Sequence, residues 1–459
     1  MQINNKSVAI VGAGIAGLCT AYWLEKQGYD VTVFEKHKHI GGAIITKKEN
    51  GFLMDLGPNS TLETSEVLKK LVTEIGLDDQ KIYGNEESNK RYIIKKGQLT
   101  PVPTSLPKFL STNLFSWKAK FRLLKEPFIK ASDNPDISLA EFVKRRLGQE
   151  FLDYAINPFV AGVYAGDPKQ LSTAAGFPKL YALEQKYGSL IKGAFLGARE
   201  RKKRKEVAKD RAKLFSFKNG MSTFPERLAS KLKREIQIKT DVTLIEPAGN
   251  QFQLQLKSEN KSSVQTFDKV VMCIPTHAIA RIFSGIKNGE KEALLNVQHP
   301  PINVVFLGYK KEDIQRPLDG FGFLIPEKEN RRILGAIWSS TIFPGRAPEG
   351  CVAITCFVGG TRQPEMAQLP DDQLIEMVSE ELNTLMKIKN NPVHYSIKRW
   401  PKAIPQYAIG YQGVQTIFSN IESSFPGLHF AGNYRRGISV GDSVLSAFEI
   451  CQSIQEQTA

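Results

Sequence analysis

Cysteine is scarce and scattered. Cys19, Cys273, Cys351, Cys356 and Cys451 are odd in number, form no CxxC and do not gather with the six histidines. That pattern excludes a disulfide framework and a structural zinc site; it reads as reduced thiols in a cytoplasmic protein, with no metal expected. No apolar run approaches the roughly 18 to 20 residues needed to cross a bilayer, and nothing near Met1 reads as a basic leader with a cleavage site. Export and membrane spanning are therefore not expected, while peripheral attachment stays open. Acidic residues are also under-represented, 47 against 62 Lys and Arg, for a net charge of +15 and a pI near 9.4, which favours anionic partners. No RNP, helix-turn-helix or zinc-finger pattern points to nucleic acid, which leaves anionic lipid or a polycarboxylate substrate.

What is present is first of all a glycine turn. Gly12-Ala13-Gly14-Ile15-Ala16-Gly17 follows the apolar run Val8-Ala9-Ile10-Val11 and precedes Val31-Thr32-Val33-Phe34-Glu35. A strand, a turn opening a helix and a second strand ending in an acid about 20 residues on form the dinucleotide-binding fingerprint. The glycines permit the tight turn, the close approach of a pyrophosphate and the packing of helix on strand, and the helix N-terminus faces the phosphates. Glu35 is placed to accept the hydroxyls of a ribose. Gly41-Gly42, six residues after Glu35, is a second glycine turn that a nicotinamide-only domain does not need, so FAD is favoured over NAD.

At 459 residues the chain exceeds one core and reads as two or three domains. Strand and helix signals alternate from Ser7 to about Leu77, and Val67, Leu68, Leu71, Val72 and Ile75 mark a helix that Gly76 stops. Arg91 to Leu99 reads as a hairpin about Lys96-Gly97. The stretch from Trp117 to Ala212 is mainly helical, with a capping box at Ser138-Leu139-Ala140-Glu141. Within it, Arg199 to Lys213 crowds basic residues: a solvated face or mobile loop, or an attraction for anionic lipid or a partner. Strands are expected at Ile236–Lys239, Val242–Ile245, Phe252–Leu256, Val270–Ile274, Asn303–Tyr309, Ile333–Ser339 and Val352–Val358, with a helix beginning near Pro370. The chain closes on a strand at 427–432, a loop at 433–440 and a helix from about Asp442, with Asp442 as its cap. Ile438, Ser439 and Val440 then present backbone N–H groups and a helix dipole where a reduced flavin develops negative charge; an ordinary capped surface helix is the alternative.

Several further stretches carry a resemblance. Gly51-Phe52-Leu53-Met54-Asp55-Leu56-Gly57-Pro58-Asn59-Ser60, Gly162-Val163-Tyr164-Ala165-Gly166-Asp167-Pro168, Phe177-Pro178 with Glu184 and Tyr187 to Leu190, Leu334 to Ser340, Trp400 with Ala403-Ile404-Pro405-Gln406-Tyr407, and Ala431 to Tyr434 run nearly end to end. In these the chain resembles the protoporphyrinogen oxidases of the monoamine-oxidase-like flavoproteins. The resemblance implies a fold of α/β plus α+β class: a Rossmann-like FAD-binding domain, a β-rich substrate domain and a helical insert. The expected division is 1–85, 215–285 and 395–459 for FAD, 86–116 and 286–394 for substrate, and 117–214 for the helical part, a candidate for membrane association.

Carried over position by position, the resemblance implies FAD contacts at Gly12, Gly14, Ile15, Ala16, Gly17, Glu35, Lys36, Gly41, Gly42, Gly57, Pro58, Asn59, Ser60, Val242 at the adenine end, Trp400, Ile438, Ser439 and Val440. For a porphyrinogen it implies that the carbonyl of Gly162 faces the pyrrole nitrogens, that Leu334 packs on the macrocycle and that Arg91 lies near a propionate. Where some members have arginine in the Gly-Pro stretch this chain has Asn59, so that propionate anchor is either absent or supplied by Arg91 or another base. The implied reaction is a hydride transfer from a methylene bridge to flavin N5, with no catalytic side chain, and no histidine here sits in a recognisable catalytic order. Protoporphyrinogen IX is the leading substrate and coproporphyrinogen III the rival. An amine oxidase and a non-catalytic porphyrin carrier are remoter readings. Oxygen is the expected acceptor, with a quinone or partner chain as alternatives, and a homodimer stays open.

Overall fold

A computed structural model of the chain describes residues 6–204, 212–259 and 261–457. It opens on β1 (Ser7–Val11), α1 (Ile15–Lys26) and β2 (Asp30–Phe34). β1 lies inside a four-stranded parallel sheet ordered Leu428–Phe430, Lys269–Met272, β1, β2. Its side chains alternate between two cores. Val8 and Ile10 pack with α1, the helix Glu66–Glu74 and the C-terminal helix Val440–Glu456. Ala9 and Val11 face the antiparallel meander Asp241–Ala248, Gln251–Ser258, Lys261–Phe267. A parallel strand covered on both faces is apolar on both, which is why residues 8–11 read as a continuous hydrophobic run.

The second layer is a seven-stranded sheet ordered His394–Trp400, Ile302–Lys310, Cys351–Gly359, Gly335–Ile337, Gly322–Leu324, Arg91–Lys95, Gln98–Pro101. It is antiparallel except where Gly322–Leu324 runs parallel to Arg91–Lys95. The helix Asp371–Met386 covers it with Leu374, Met377, Val378, Leu382 and Leu385, an apolar stripe at helical spacing. The hairpin turn at Lys96-Gly97 has φ of 52° and 70°, the left-handed pair that a two-residue hairpin loop demands. Although it is contiguous in sequence with the closing segments of the parallel layer, His394–Trp400 forms the edge of this sheet.

Short helices between Leu106 and Arg204 build the third part around Phe142, Phe151 and Phe115, the last two rings stacked 4.2 Å apart. Ser138 caps its helix as expected, accepting from the Glu141 backbone at 3.1 Å, while the Glu141 carboxylate accepts from the Ser138 hydroxyl at 3.0 Å. Arg146 is fully buried here between Glu126 and Glu184. Of the basic run, residues 205–211 lie outside the described residues.

Two expectations are corrected. Ile236–Lys239 is not a strand: Gln237 alone bridges Phe34, and the backbone turns away at Ile238, with Lys239 left-handed at φ 52°. The last helix begins at Val440, not Asp442, and its cap is Ser439, whose hydroxyl accepts from the Asp442 N–H at 3.1 Å. The helix starts earlier because Val440 joins the core beneath and Gly441 packs against Thr64 and Leu68.

Candidate active site

The parallel sheet delivers three chain ends to one rim: Gly12 after β1, Glu35 after β2 and Cys273 after Lys269–Met272. Ligands of such sheets bind at this carboxyl edge. α1 starts there on Gly14, with no side chain capping it and no acid in its first turn, which leaves the positive end of the helix dipole for an anion. A Cβ at Gly17 would sit 1.9 Å from the Gly12 carbonyl, so glycine is what lets helix and strand touch. Gly14 has another role: the nearest atom to its missing Cβ is the Gly42 Cα at 3.9 Å.

The two glycine turns are in fact one structure. Gly14 bridges Gly41, and the Gly41 N–H donates to the Ala13 carbonyl at 2.8 Å. Within it Gly12, Gly41, Ile15 and Ala16 are buried, while Gly14 and Gly42 are half-exposed and touch backbone to backbone, a Cβ on Gly42 coming within 3.1 Å of the Gly14 Cα. At its end Glu35 is 7% exposed, one carboxylate oxygen accepting the Ala13 N–H and the other the His37 N–H, both at 2.9 Å. Lys36 is exposed beside it, and Val242 is buried in the core that contains Phe34, two residues beyond Thr240, which donates to the Glu35 carbonyl at 2.9 Å.

The other end is assembled from distant segments. Gly57 packs on the Ala43 carbonyl just beyond the glycine pair, and the Trp400 indole N–H donates to the neighbouring Leu56 carbonyl at 2.9 Å. Pro58, Asn59 and Ser60 are half-buried, and the Asn59 amide donates to the Gly57 carbonyl at 3.1 Å. The start of the last helix lies against Leu62 and Thr64, which brings Ser439 and Val440 to the same side, and Ile438 packs on Tyr407 and Tyr411. Beneath Asn59 and Ser60 is a small cavity lined also by Asp55, Phe321, Ser339 and Arg346. Arg346 is buried 3.4 Å from Asp55; burial pushes the Asp55 carboxyl up, against the pull of Arg346 and its hydrogen bonds from Thr46 and Met221.

The substrate-side candidates converge on the strand Gly322–Leu324. Arg91 pairs with Gly322 and its guanidinium lies 5.5 Å over the ring of Phe321, which lines the cavity just described. Leu324, two positions on, packs on Gly162 so closely that a Cβ there would come within 2.3 Å. Leu334 is 1% exposed in a cluster with Ala161, Ala165, Trp400 and Ile404.

Gly162 sits in the last turn of the helix Asn157–Tyr164, which Ala165 ends in the left-handed conformation, φ 52°. In a continued helix the Gly162 carbonyl would receive the N–H of Gly166; here both the Ala165 and the Gly166 N–H turn to the Val160 carbonyl. The carbonyl that the resemblance assigned to the pyrroles is therefore one whose usual helical donors are engaged elsewhere.

The sequence reading missed the polar link behind this helix. Asn157 accepts from the Glu327 N–H at 2.8 Å and from Arg362 at 3.2 Å, and Arg362 also donates to the Ile325 carbonyl at 3.0 Å. Burial holds the Arg362 guanidinium below its ordinary value. Asn157 before Pro158 was the sole local signal.

The model of the flavin-containing amine oxidoreductases matches residues 15–455. The chain belongs to that family. It is 33% identical over 472 residues to protoporphyrinogen oxidase 2, chloroplastic/mitochondrial, of Arabidopsis thaliana, covering 97% of this chain and 92% of the relative. It is 29% identical over 461 residues to the coproporphyrinogen III oxidase of Bacillus subtilis (strain 168), covering 97% of each. A crystal structure from Exiguobacterium sp. 255-15, provisionally named a protoporphyrinogen oxidase, superposes with a TM-score of 0.82 at 25% identity, over 99% of this chain and 100% of that one. The chain is thus an FAD-dependent oxidoreductase of the porphyrinogen oxidase branch, with the flavin amine oxidase fold. The side-chain-free backbone of Gly14 and Gly42, the uncapped helix and the anchored carboxylate of Glu35 fit that cofactor. No helix among the described residues is long and apolar enough to cross a membrane.

Proposed function

We propose that this protein oxidises a porphyrinogen to the porphyrin, with protoporphyrinogen IX as substrate. The observation that supports the reading is the Gly162 carbonyl, left without its usual helical donor by the left-handed Ala165, in a helix turn packed on Leu324 and flanked by Ala161 and Ala165 of the Leu334 and Trp400 cluster. FAD supplies the two-electron acceptor for a hydride from a bridge carbon when bound. The contacts that would hold it are Gly12, Gly14, Gly17, Gly41, Gly42, Glu35 and Val242 at one end, and Gly57, Trp400 and Ile438 to Val440 at the other. Gly162 accepts the pyrrole N–H groups, which orients one bridge carbon. Leu334 and Leu324 exclude water from the ring face. Arg91, held on Phe321, meets a carboxylate at the rim. The side chains orient and desolvate; no side-chain acid or base is assigned a proton.

Coproporphyrinogen III, with four carboxylates against two, is the second reading, favoured by the full-length likeness to the Bacillus subtilis relative. Initial rates on both porphyrinogens, with oxygen consumption and peroxide followed together, decide between them. A preference for the tetracarboxylate above tenfold replaces the first reading with the second. Turnover of neither, with an amine oxidised instead, removes both. Peroxide formed in proportion to porphyrin supports oxygen as the acceptor.

A further inference from the structure

The two halves of the candidate site come from separate parts of the fold, and the distance between them must be set by something. The helix Asn157–Tyr164 carries Gly162, and the loop after Phe430 carries Ile438 and Ser439 and leads into Val440, the first residue of the last helix. Between them runs the segment 404–409, which has no regular secondary structure. Its backbone is tied to the helical part, where the Ser172 N–H donates to the Tyr407 carbonyl and the Ile409 N–H to the Gln170 carbonyl, both at 2.9 Å.

Two adjacent side chains of this segment are buried and point to opposite partners. The Gln406 amide donates to the Tyr164 carbonyl at 2.8 Å, the last residue of the helix of Gly162. The Tyr407 hydroxyl donates to the Asn433 carbonyl, at the start of the closing loop. Tyr411, stacked on Tyr407 with ring centroids 4.4 Å apart, donates to the next carbonyl, Tyr434, at 2.8 Å. Gly166 fits the same arrangement, since a Cβ there would lie 2.4 Å from the Gln406 side-chain oxygen.

We infer that Gln406 and Tyr407 are positioning residues, a clasp that fixes the helix of Gly162 against the loop of Ile438 to Val440. The inference rests on the proposed function only in the identity of what is held between them. Gln406 acts on the substrate side and Tyr407 on the cofactor side, through carbonyls and not by touching either ligand. The two hydrogen bonds act in series on one spacing, so losing either releases it while loosening the backbone only at its own end.

The test uses the holoenzyme and the variants Gln406→Met, Tyr407→Phe and the pair together. Hydrogen exchange of backbone amides is measured alongside anaerobic flavin reduction by protoporphyrinogen. Gln406→Met should speed exchange in 160–166 and Tyr407→Phe in 433–440, each at least tenfold, with other segments unchanged. Flavin reduction should slow at least tenfold in each, with KM within threefold, and the double variant should be no slower than the worse single one. Gly166→Ala should reproduce Gln406→Met by displacing the amide, which keeps the test open if one variant misfolds. Unchanged exchange at both segments, reduction within twofold of the parent, or exchange raised throughout the molecule would each overturn the clasp. A parent enzyme that no porphyrinogen reduces removes the proposed function, and the exchange result alone then decides the clasp.

Discussion

The carboxylate of Glu35 accepts the backbone N–H of Ala13 at 2.9 Å, so the residue that ends the second strand also holds the glycine turn of the first. The acid thereby holds the turn, and in the proposed site the same carboxylate meets the ribose of FAD. Charge-assisted hydrogen bonds of this kind are worth about 1.5–3 kcal/mol each. Glu35→Ala should weaken FAD binding more than tenfold and lower the melting temperature of the apoprotein as well. Glu35→Gln, which keeps an oxygen acceptor, should weaken FAD with a smaller loss of apoprotein stability. Flavin titration and thermal unfolding of the apo forms check this; full flavin content in Glu35→Ala would sink the assignment.

Gly14 and Gly17 should fail in different ways. A methyl at Gly17 meets the Gly12 carbonyl at 1.9 Å and must push α1 off β1, with a loss on the order of 1–3 kcal/mol or more from overpacking. At Gly14→Val the new Cβ comes only into ordinary contact with the Gly42 Cα at 3.9 Å, so the protein should fold and purify without flavin. Measuring bound flavin and apoprotein melting for both separates the cases. A yellow Gly14→Val protein, or a Gly17→Ala protein as stable as the parent, contradicts the reading.

His429 is 4% exposed in the strand beside Val271, and burial, with Lys269 nearby, lowers its pKa from 6.5 to about 4. At neutral pH the ring is uncharged both folded and unfolded. As pH falls below 6.5 the unfolded chain takes up a proton that the folded chain refuses until about pH 4, so stability drops across that window. The contribution is on the order of 2–3 kcal/mol. His429→Gln should flatten the decline in melting temperature between those two pH values. An unchanged slope would assign the acid sensitivity elsewhere, with His277, also lowered to about 4 but less buried, the next group to test.

Arg146 is enclosed by Glu126 and Glu184, all three fully buried. Glu126 also accepts from the Leu190 N–H at 2.8 Å and the Ile191 N–H at 3.2 Å, and so caps the helix Leu190–Arg204. Removing the arginine strands the Glu126 carboxylate and leaves Glu184 with Arg145 as its one cation, 2.7 Å away, and Arg146→Ala should destabilise by about 3–5 kcal/mol. Glu126→Gln, still an acceptor for the helix, should do less damage. Denaturant unfolding followed by helical signal distinguishes them, and equal effects would mean that charge does not govern this site.

The features that were readable in the sequence are those written within a few dozen residues. β1, the turn, α1, β2 and Glu35 occupy one continuous stretch, and the hairpin at Lys96-Gly97 and the capping of the Glu141 N–H by Ser138 are local by nature. The cap of the last helix misled because Ser439 and Asp442 are both competent caps, and packing of Val440 and Gly441 on distant residues made the choice. Joining Asn157 to Glu327 and Arg362 spans 170 and 205 residues and leaves no periodic trace. Gln406 stood within a recognised stretch, but its partner, the Tyr164 carbonyl, is backbone and has no sequence signature.

The parallel sheet has a consequence for how the chain is made. β1 receives its neighbours from residues 30–34 and 269–272, and the latter strand is paired on its far side only by 428–430. At roughly 5–20 residues per second, the ribosome takes about ten to thirty seconds to travel from one to the other. For that interval Lys269–Met272 offers an open apolar edge to any other nascent chain. The two ends of the polypeptide are thus bound in time as well as in space: the sheet that the first strand begins is not closed until nearly the last strand has emerged.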